Sequence, residues 1–164
     1  MDSTSDCPER GRRVTTNGVL KHILTKETML EKTLALIKPD AVEKKYAGKI
    51  IDKIEQEGFT ILDFKKIHLT KEAAGKFYNV HKGRPFYDEL VNYMSSGPII
   101  AIAMERENAV IEWRNLMGAT DPAEAKPNTL RKLYGTSKGT NSLHGSDSAE
   151  NGKLEINFFF PNLK

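Results

Sequence analysis

Apolar residues occur in short runs that turn-forming residues separate. The run from Thr33 to Ile37 ends at Lys38-Pro39-Asp40, which predicts a buried strand leading into a loop, because proline cannot continue a ladder. Lys38 is thereby placed at the end of a strand. Further strands are predicted over 59–69, over 99–104 and over 154–160. The run at 99–104 is the most apolar and indicates a strand in the centre of a sheet.

Apolar residues at helical spacing predict helices between these strands. Thr70 is a suitable N-cap for one of them, and Gly58 is a suitable C-terminal stop for another. The predicted helices cover 47–57, 71–78, a segment that starts near Pro85, 109–117 and a turn around 129–133. Strands and helices alternate irregularly, which favours an α+β domain with helices over an antiparallel sheet.

Composition indicates a single folded domain. The chain has 164 residues, of which 38% are hydrophobic and 29% are charged, a balance typical of globular proteins. Residues 1–30 are polar and interrupted by glycine, so we expect a flexible leader followed by a domain over 31–164. Within the leader, the apolar cluster from Val19 to Leu24 has helical spacing and could dock on a partner or on its own domain.

The predicted environment is the cytoplasm. Cys7 is the single cysteine, which excludes an intrachain disulfide framework. Apolar runs stay far below the roughly 18 residues that would span a bilayer, so we expect no membrane span. Basic and acidic side chains number 25 and 22, for a net charge of +3. They are mixed along the chain, so a nucleic-acid partner is not favoured.

The densest reactive segment is 141–148, in which His144 is flanked by small polar residues and by Gly145. Imidazole is a competent phosphoryl acceptor near neutral pH, and a carboxylate can fix its tautomer. An ordinary surface histidine in a polar loop is the alternative that this segment alone leaves open. The other histidines of the sequence, at positions 22, 68 and 81, lack metal-ligand spacing.

A phosphate tail needs cations and hydroxyl donors. The candidates on predicted loops or helix ends are Lys38, Arg84, Arg114, Thr120 and Arg131. The sequence contains neither the glycine-rich P-loop nor the dinucleotide-binding fingerprint. A phosphate site would therefore have to form from residues that are scattered along the chain.

Six separated motifs, in this order, strongly resemble the nucleoside diphosphate kinases. They are Ile37-Lys38-Pro39-Asp40, Lys82 to Tyr87, Tyr93 to Pro98, Met117 to Pro122, Lys126 to Arg131 and Asn141 to Ser148. The resemblance implies a ferredoxin-like fold with a four-stranded antiparallel sheet flanked by helices. It also implies a homo-oligomer that uses nucleoside tri- and diphosphates with Mg²⁺. The ion would be bound mainly through the phosphates rather than by protein ligands.

The resemblance also implies roles for individual residues. His144 would carry the phosphoryl group in a ping-pong reaction, with Tyr78 beside it and with Glu155 and Ser146 supporting it. For Tyr78 and for the base-stacking Phe86, core packing is the alternative. The nucleotide would be held by Lys38 and Asn141 at the sugar, by Phe86 at the base, and by Arg114, Thr120 and Arg131 at the phosphates.

Several positions depart from the usual family pattern. Thr140 stands where arginine is usual, and Lys138 replaces an apolar residue near the base. Gly152 falls in a segment that is usually an alanine-rich helix, so the support of Glu155 is expected to be looser. The segments 133–136 and 158–161 look like those of members associated with cilia and flagella. The second hypothesis is therefore a structural or nucleotide-binding module of a cilium or flagellum axoneme, with reduced kinase activity and axonemal partners.

Overall fold

The structure, a computed structural model, describes residues 29–164. Residues 1–28 of the leader, with the apolar cluster from Val19 to Leu24, lie outside the described residues, so the predictions about them stay predictions. None of the helices within 29–164 has the length and apolar character needed to cross a bilayer.

Four strands form one antiparallel sheet, in the order β2 (Thr60–Ile67), β3 (Ile99–Glu107), β1 (Leu30–Ile37) and β4 (Leu143–Gly145). Helices flank this sheet, which confirms the predicted ferredoxin-like α+β fold. The elements are β1 (Leu30–Ile37), α1 (Pro39–Glu43), α2 (Ala47–Gln56), β2 (Thr60–Ile67), α3 (Lys71–Phe77), a 3-10 turn (Asn79–His81), α4 (Tyr87–Met94), β3 (Ile99–Glu107), α5 (Ala109–Met117), α6 (Leu130–Tyr134), β4 (Leu143–Gly145) and α7 (Ala149–Phe159).

The strand β1 is buried on both faces, because it lies inside the sheet with helices on either side. Ala35 and Ile37 belong to a core that includes side chains of α2 and α5. Leu34 and Leu36 point to the other face and belong to a second core with α3, α4 and α7. The domain therefore has two helical layers around one sheet.

Most predicted elements are confirmed. The predicted helix over 109–117 is α5, and the helix over 47–57 ends one residue earlier than expected. The hydroxyl of Thr70 accepts a hydrogen bond from the backbone N–H of Ala73 at 3.1 Å, as an N-cap does. The strand β3 lies between β2 and β1, as its apolar sequence indicates.

The predicted last strand over 154–160 is wrong, because these residues belong mostly to the helix α7. Its buried residues Gly152, Ile156 and Phe159 recur at helical spacing, whereas Leu154 is 69% exposed. Ser148 caps the helix by accepting from the N–H of Asn151 at 3.1 Å. The apolar content of the segment suggested a strand, but its spacing fits a helix.

Two further expectations differ from the structure, one of them the polar-loop alternative for His144. The chain does not enter a loop after β1, because α1 begins at Pro39. Proline has no backbone N–H, but at the first position of a helix that group would have no partner within the helix, so proline is tolerated there. His144 does not lie in a loop either. It occupies the middle of β4, a three-residue strand too short to show alternation in the sequence.

Gly145 lets α5 pack directly on β4. A Cβ atom at this position would lie 2.5 Å from Cδ1 of Trp113 and 2.6 Å from Cε of Met117. The indole Nε1 of Trp113 also donates a hydrogen bond to the carbonyl of His144 at 3.1 Å. A buried aromatic ring and the strand that carries His144 are therefore held in one fixed arrangement.

We expect Gly145→Ala to lower the free energy of unfolding by about 1 to 3 kcal/mol, as overpacking of a close contact does. The measurement is the urea midpoint. The matched control is Gly48→Ala on α2, where an added Cβ meets nothing within 4 Å, and which should be neutral or stabilising by up to about 1 kcal/mol. Equal midpoints for Gly145→Ala and the wild type would contradict the close packing of Trp113.

Candidate active site

The pairing of β4 with β1 decides which way His144 points. His144 is the register partner of Leu36, so the two side chains share a face of the antiparallel pair. Leu36 belongs to the core formed with α3 and α7. The imidazole therefore faces those two helices, and the side chain of His144 is 18% exposed to solvent.

Glu155 on α7 and Ser146 complete a hydrogen-bonded group around the imidazole. Nε2 of His144 lies 3.1 Å from Oε2 of Glu155. The same carboxylate oxygen accepts from the hydroxyl of Ser146 at 2.6 Å. That hydroxyl in turn accepts from the backbone N–H of Leu34 at 3.1 Å. The predicted support of His144 by Glu155 and Ser146 is geometrically present.

This arrangement selects one tautomer of the imidazole. An ionised carboxylate only accepts hydrogen bonds, so the proton of neutral His144 belongs on Nε2, the nitrogen that faces Glu155. The lone pair is then on Nδ1. That nitrogen has the electronic character of a nucleophile.

Aromatic rings enclose the other sides of His144. The ring of Phe77 lies edge-on to the imidazole at a centroid distance of 5.3 Å, and the ring of Tyr78 does so at 5.9 Å. The Tyr78 hydroxyl is buried and has no hydrogen-bond partner among the described residues. Burial, and then the charge of Glu155, raise the pKa of Tyr78 well above its usual value. The hydroxyl is thus a neutral donor with an unused proton.

Lys38 and Asn141 form a buried polar pair near the end of β1. Nζ of Lys38 donates to Oδ1 of Asn141 at 2.8 Å, and the two residues are 7% and 3% exposed. Nδ2 of Asn141 donates to the carbonyl of Thr120 at 3.0 Å. The pair therefore connects the end of β1 to the long loop after α5.

Burial lowers the pKa of Lys38 to about 8, with a further contribution from the positive charge of Arg131, while Asp40 acts in the opposite direction. A buried ammonium group of this kind gains from a nearby anion. The Lys38 ammonium is therefore suited to an anionic ligand.

Arg131 is the second buried cation. Its guanidinium donates to the carbonyl of Gly118 and to the carbonyl of Leu143, both at 3.0 Å. Its Nε has no partner among the described residues. Burial, followed by the charge of Arg114, lowers the pKa of Arg131 to about 10. Two of its N–H groups thus hold backbone near His144, while a third is unused.

Arg114, Thr120 and Arg131 line one cavity of about 630 Å³ between α5 and the long loop. Arg114 and Thr120 are exposed, so they are accessible from solvent. Arg114 also helps to lower the pKa of Asp147, after the larger effects of hydrogen bonds from Asn151 and Ser148. The structure thus brings the three predicted phosphate contacts together, close to the segment that carries His144.

Phe86 lies at the outer side of the site. It is 48% exposed, which agrees with a stacking platform rather than with core packing. Its ring is 5.4 Å from that of His81, and His81 stacks on Tyr78 at 6.2 Å. A series of rings therefore runs from Phe86 to Tyr78 and on to His144. Arg84, another candidate cation, is exposed in the same segment.

Three residues that surround the site are not among the site residues predicted from the sequence. Phe77 was predicted only as part of an apolar helix face, and Trp113 only as part of a helix. His81 is considered in the sequence only as a possible metal ligand, which its spacing does not support, and it lies between two rings of the site. Aromatic residues next to motif residues were the only available signal.

Two positions depart from the usual family pattern near the base. Lys138 is exposed, and Thr140 closes a turn with Ser137 through a hydroxyl contact of 2.8 Å.

A larger cavity, of about 820 Å³, lies elsewhere, between the start of β1 and α7. None of the candidate site residues lines it, so its size does not make it the reactive centre. Within residues 29–164, no group of three or more His, Cys, Asp or Glu side chains converges on a possible metal position.

The buried ammonium group of Lys38 should make stability depend on pH in a defined window. Its pKa falls from 10.5 to about 8 on folding, so between those values the unfolded chain binds more protons than the folded one. The free energy of unfolding of the wild type, minus that of Lys38→Met, should therefore rise by about 3 kcal/mol from pH 8 to pH 10.5. Below pH 8 this difference should stay constant. Urea unfolding of both proteins across this range measures the difference. A difference that does not change with pH would contradict the lowered pKa.

Comparisons with known proteins agree with this geometry. A family model described as nucleoside diphosphate kinase matches residues 31–164. The nucleoside diphosphate kinase of Chlorobaculum parvum is 59% identical over 131 residues, which are 80% of this chain and 94% of that protein. The protein of the same name from Persephonella marina is 56% identical over 135 residues, 82% and 96% of the two chains.

Solved structures show the same similarity. The Aquifex aeolicus nucleoside diphosphate kinase superimposes with a TM-score of 0.81 at 48% identity, covering 82% of this chain and 98% of that one. A halophilic nucleoside diphosphate kinase from Halobacterium salinarum, in complex with CDP, gives 0.78 at 36% identity, covering 82% and 90%. This chain therefore belongs to the nucleoside diphosphate kinase family.

Proposed function

We propose that this protein transfers the γ-phosphoryl group of a nucleoside triphosphate to a nucleoside diphosphate through a phosphohistidine at His144. The observation that carries the proposal is the contact of Nε2 of His144 with Glu155 at 3.1 Å. This contact leaves Nδ1 as the nucleophile in a partly exposed imidazole. The family supports phosphoryl transfer between nucleotides, and the roles proposed for individual residues extend that activity to this chain.

In the first half-reaction, Nδ1 of His144 forms a bond to the γ-phosphorus. The bond from that phosphorus to the oxygen bridging to the β-phosphate breaks, and the diphosphate leaves with the electron pair. Phosphorylation places positive charge on the ring, which Glu155 stabilises through Nε2–H. Ser146 keeps the carboxylate in place.

In the second half-reaction, a terminal phosphate oxygen of a second nucleoside diphosphate attacks the phosphohistidine. The bond from phosphorus to Nδ1 breaks, and its electron pair returns to the imidazole. The protein is then ready for another triphosphate. Because Nε2 keeps its proton throughout, His144 needs no change of tautomer between the two halves.

The other residues position the nucleotide. Arg114, Thr120 and Arg131 bind the phosphates in their shared cavity. Lys38 and Asn141 reach the sugar hydroxyls, and the Lys38 ammonium also faces the transferred group. The exposed ring of Phe86 stacks on the base, which permits any base because each has a π-face. The complex of the Halobacterium salinarum relative with CDP supports this nucleotide site.

The residues fit a magnesium ion that is carried by the nucleotide. Glu155 is already bonded to His144 and Ser146, and Asp40 already accepts two hydroxyl donors. Neither of these two acids is free to bind a metal ion, and the phosphates and water would supply most of its oxygen ligands. Mg²⁺ would neutralise part of the phosphate charge when it is bound.

We propose a homo-oligomeric housekeeping kinase of the cytoplasm rather than an axonemal module. The relatives at 55–59% identity carry the kinase name, and the groups that support His144 are in place. Gly152 does not loosen Glu155, because a Cβ there would lie 2.7 Å from the carbonyl of Lys32. The glycine allows α7 to approach β1 and so brings Glu155 to the imidazole.

We expect His144→Ala to abolish phosphoryl transfer while the fold is retained, since no second histidine within residues 29–164 contacts Glu155. The protein is incubated with γ-labelled triphosphate and Mg²⁺, and acid-labile, base-stable label is measured. The control is His68→Ala, because His68 is exposed and contacts the carbonyl of Ser95 instead. Labelling of His144→Ala at the wild-type level would remove the proposed function.

Arg114→Ala and Arg131→Ala should each lower kcat/KM by about 10- to 100-fold, which corresponds to about 1.5 to 3 kcal/mol for a charge-assisted phosphate contact. Only Arg131→Ala should also lower the thermal midpoint, because Arg131 holds the carbonyls of Gly118 and Leu143. The control is Arg106→Ala, whose guanidinium donates to the carbonyl of Glu57 away from this cavity. Unchanged kcat/KM in both site variants would show that these arginines do not bind phosphate.

A further inference from the structure

Asp40 is a buried acid with both oxygens engaged. It is 9% exposed and is the second residue of α1. The hydroxyl of Tyr93, on α4, donates to Oδ1. The hydroxyl of Ser142, just before β4, donates to Oδ2 at 2.8 Å and also contacts the carbonyl of Tyr134 at 3.0 Å. One carboxylate thus joins segments that are about 50 and 100 residues apart in the chain.

This group of three residues adjoins the Lys38–Asn141 pair on both sides. Lys38 lies two residues before Asp40, and its backbone N–H donates to the carbonyl of Ser142 at 2.8 Å. Asn141 directly precedes Ser142, so the segment that Asp40 holds also carries the amide that contacts Nζ of Lys38. The same Nζ lies 6.0 Å from the centre of the Tyr93 ring. Any displacement of the group would therefore change the position of both members of the pair.

The backbone conformation at Ser142 needs support from neighbouring residues. Its φ is +69°, a left-handed conformation that a residue with a Cβ adopts rarely. Its hydroxyl donates its single proton to Asp40 at 2.8 Å, with the carbonyl of Tyr134 as a second acceptor 3.0 Å away, and this contact holds the conformation in place. A turn that was free to relax would move Asn141 away from Lys38.

We propose that Asp40, Tyr93 and Ser142 form a brace of positioning residues that sets Lys38 and Asn141 at the spacing required by the sugar hydroxyls of the bound nucleotide. This inference rests on the proposed function, because the sugar contacts belong to it. None of the three acts on the substrate directly. Their effect reaches the nucleotide only through the Lys38–Asn141 pair.

A role in stability alone would not require a carboxylate. Burying an acid costs desolvation energy that hydrogen bonds offset only when every oxygen has a donor. Its neighbours Pro39 and Ala41 are already buried and anchor the five-residue helix α1. The charged group at position 40 therefore serves the geometry of the site.

The test compares two substrates on the same protein sample. Tyr93→Phe and Ser142→Ala each remove one donor to Asp40 with little change of volume. With ADP as acceptor, kcat/KM should fall about tenfold in each variant, as expected for the loss of a hydrogen bond to a charged group. With 2′,3′-dideoxy-ADP, which lacks both sugar hydroxyls, the fall should stay within about twofold. An unfolded fraction of protein cancels from the ratio, because both substrates report on the same sample.

Matched control variants are available at the two ends of α4, the helix that carries Tyr93. Tyr87→Phe removes a hydroxyl that donates to the carbonyl of Gly75 at 3.1 Å, and Ser95→Ala removes one that donates to the carbonyl of Val91 at 2.8 Å. Both should keep the wild-type ratio between the two substrates. Equal losses with ADP and the dideoxy analogue, or no loss with either, would overturn the brace. A wild-type protein that transfers to neither acceptor would instead contradict the proposed function.

Discussion

The pairing of three residues of β4 with β1 is the interaction on which the rest of the site depends. Because Leu36 is opposite His144, the histidine is on the face that α7 covers, and Leu143 and Gly145 are on the face that α5 covers. Glu155 then reaches the imidazole from one helix, and Trp113 fixes the strand from the other. A shift of one residue in this register would turn His144 toward Trp113 and leave Glu155 without its partner.

The site contains two buried positive charges. Lys38 and Arg131 are both buried, and each has its pKa lowered by burial and by a neighbouring cation. Two buried cations repel each other and are held in place by backbone carbonyls and an amide, which are dipoles rather than charges. Such an arrangement is complementary to a polyanion from solution and supports phosphate binding without a glycine-rich loop.

The sequence predicted the fold class, because helical spacing, caps and the central apolar strand are local signals. The residues proposed for the site came from the six motifs that resemble the family, and their roles stay predictions. It did not predict β4, since three residues cannot display an alternating pattern. It assigned 154–160 to a strand, because apolar content there outweighed the spacing of Gly152, Ile156 and Phe159. The function of Gly152 was also missed, since the close approach of α7 to β1 is a tertiary contact that no local pattern contains.

The buried hydroxyl of Tyr78 has no hydrogen-bond partner among the described residues, and this lowers the stability of the domain. A buried donor without a partner costs about 1 to 3 kcal/mol, a large fraction of the stability of a domain of this size. Phenylalanine would fill the same space against His144 without that cost. Selection for stability alone would therefore replace this tyrosine. A phosphoryl group on His144 would offer this hydroxyl the acceptor that it lacks within residues 29–164.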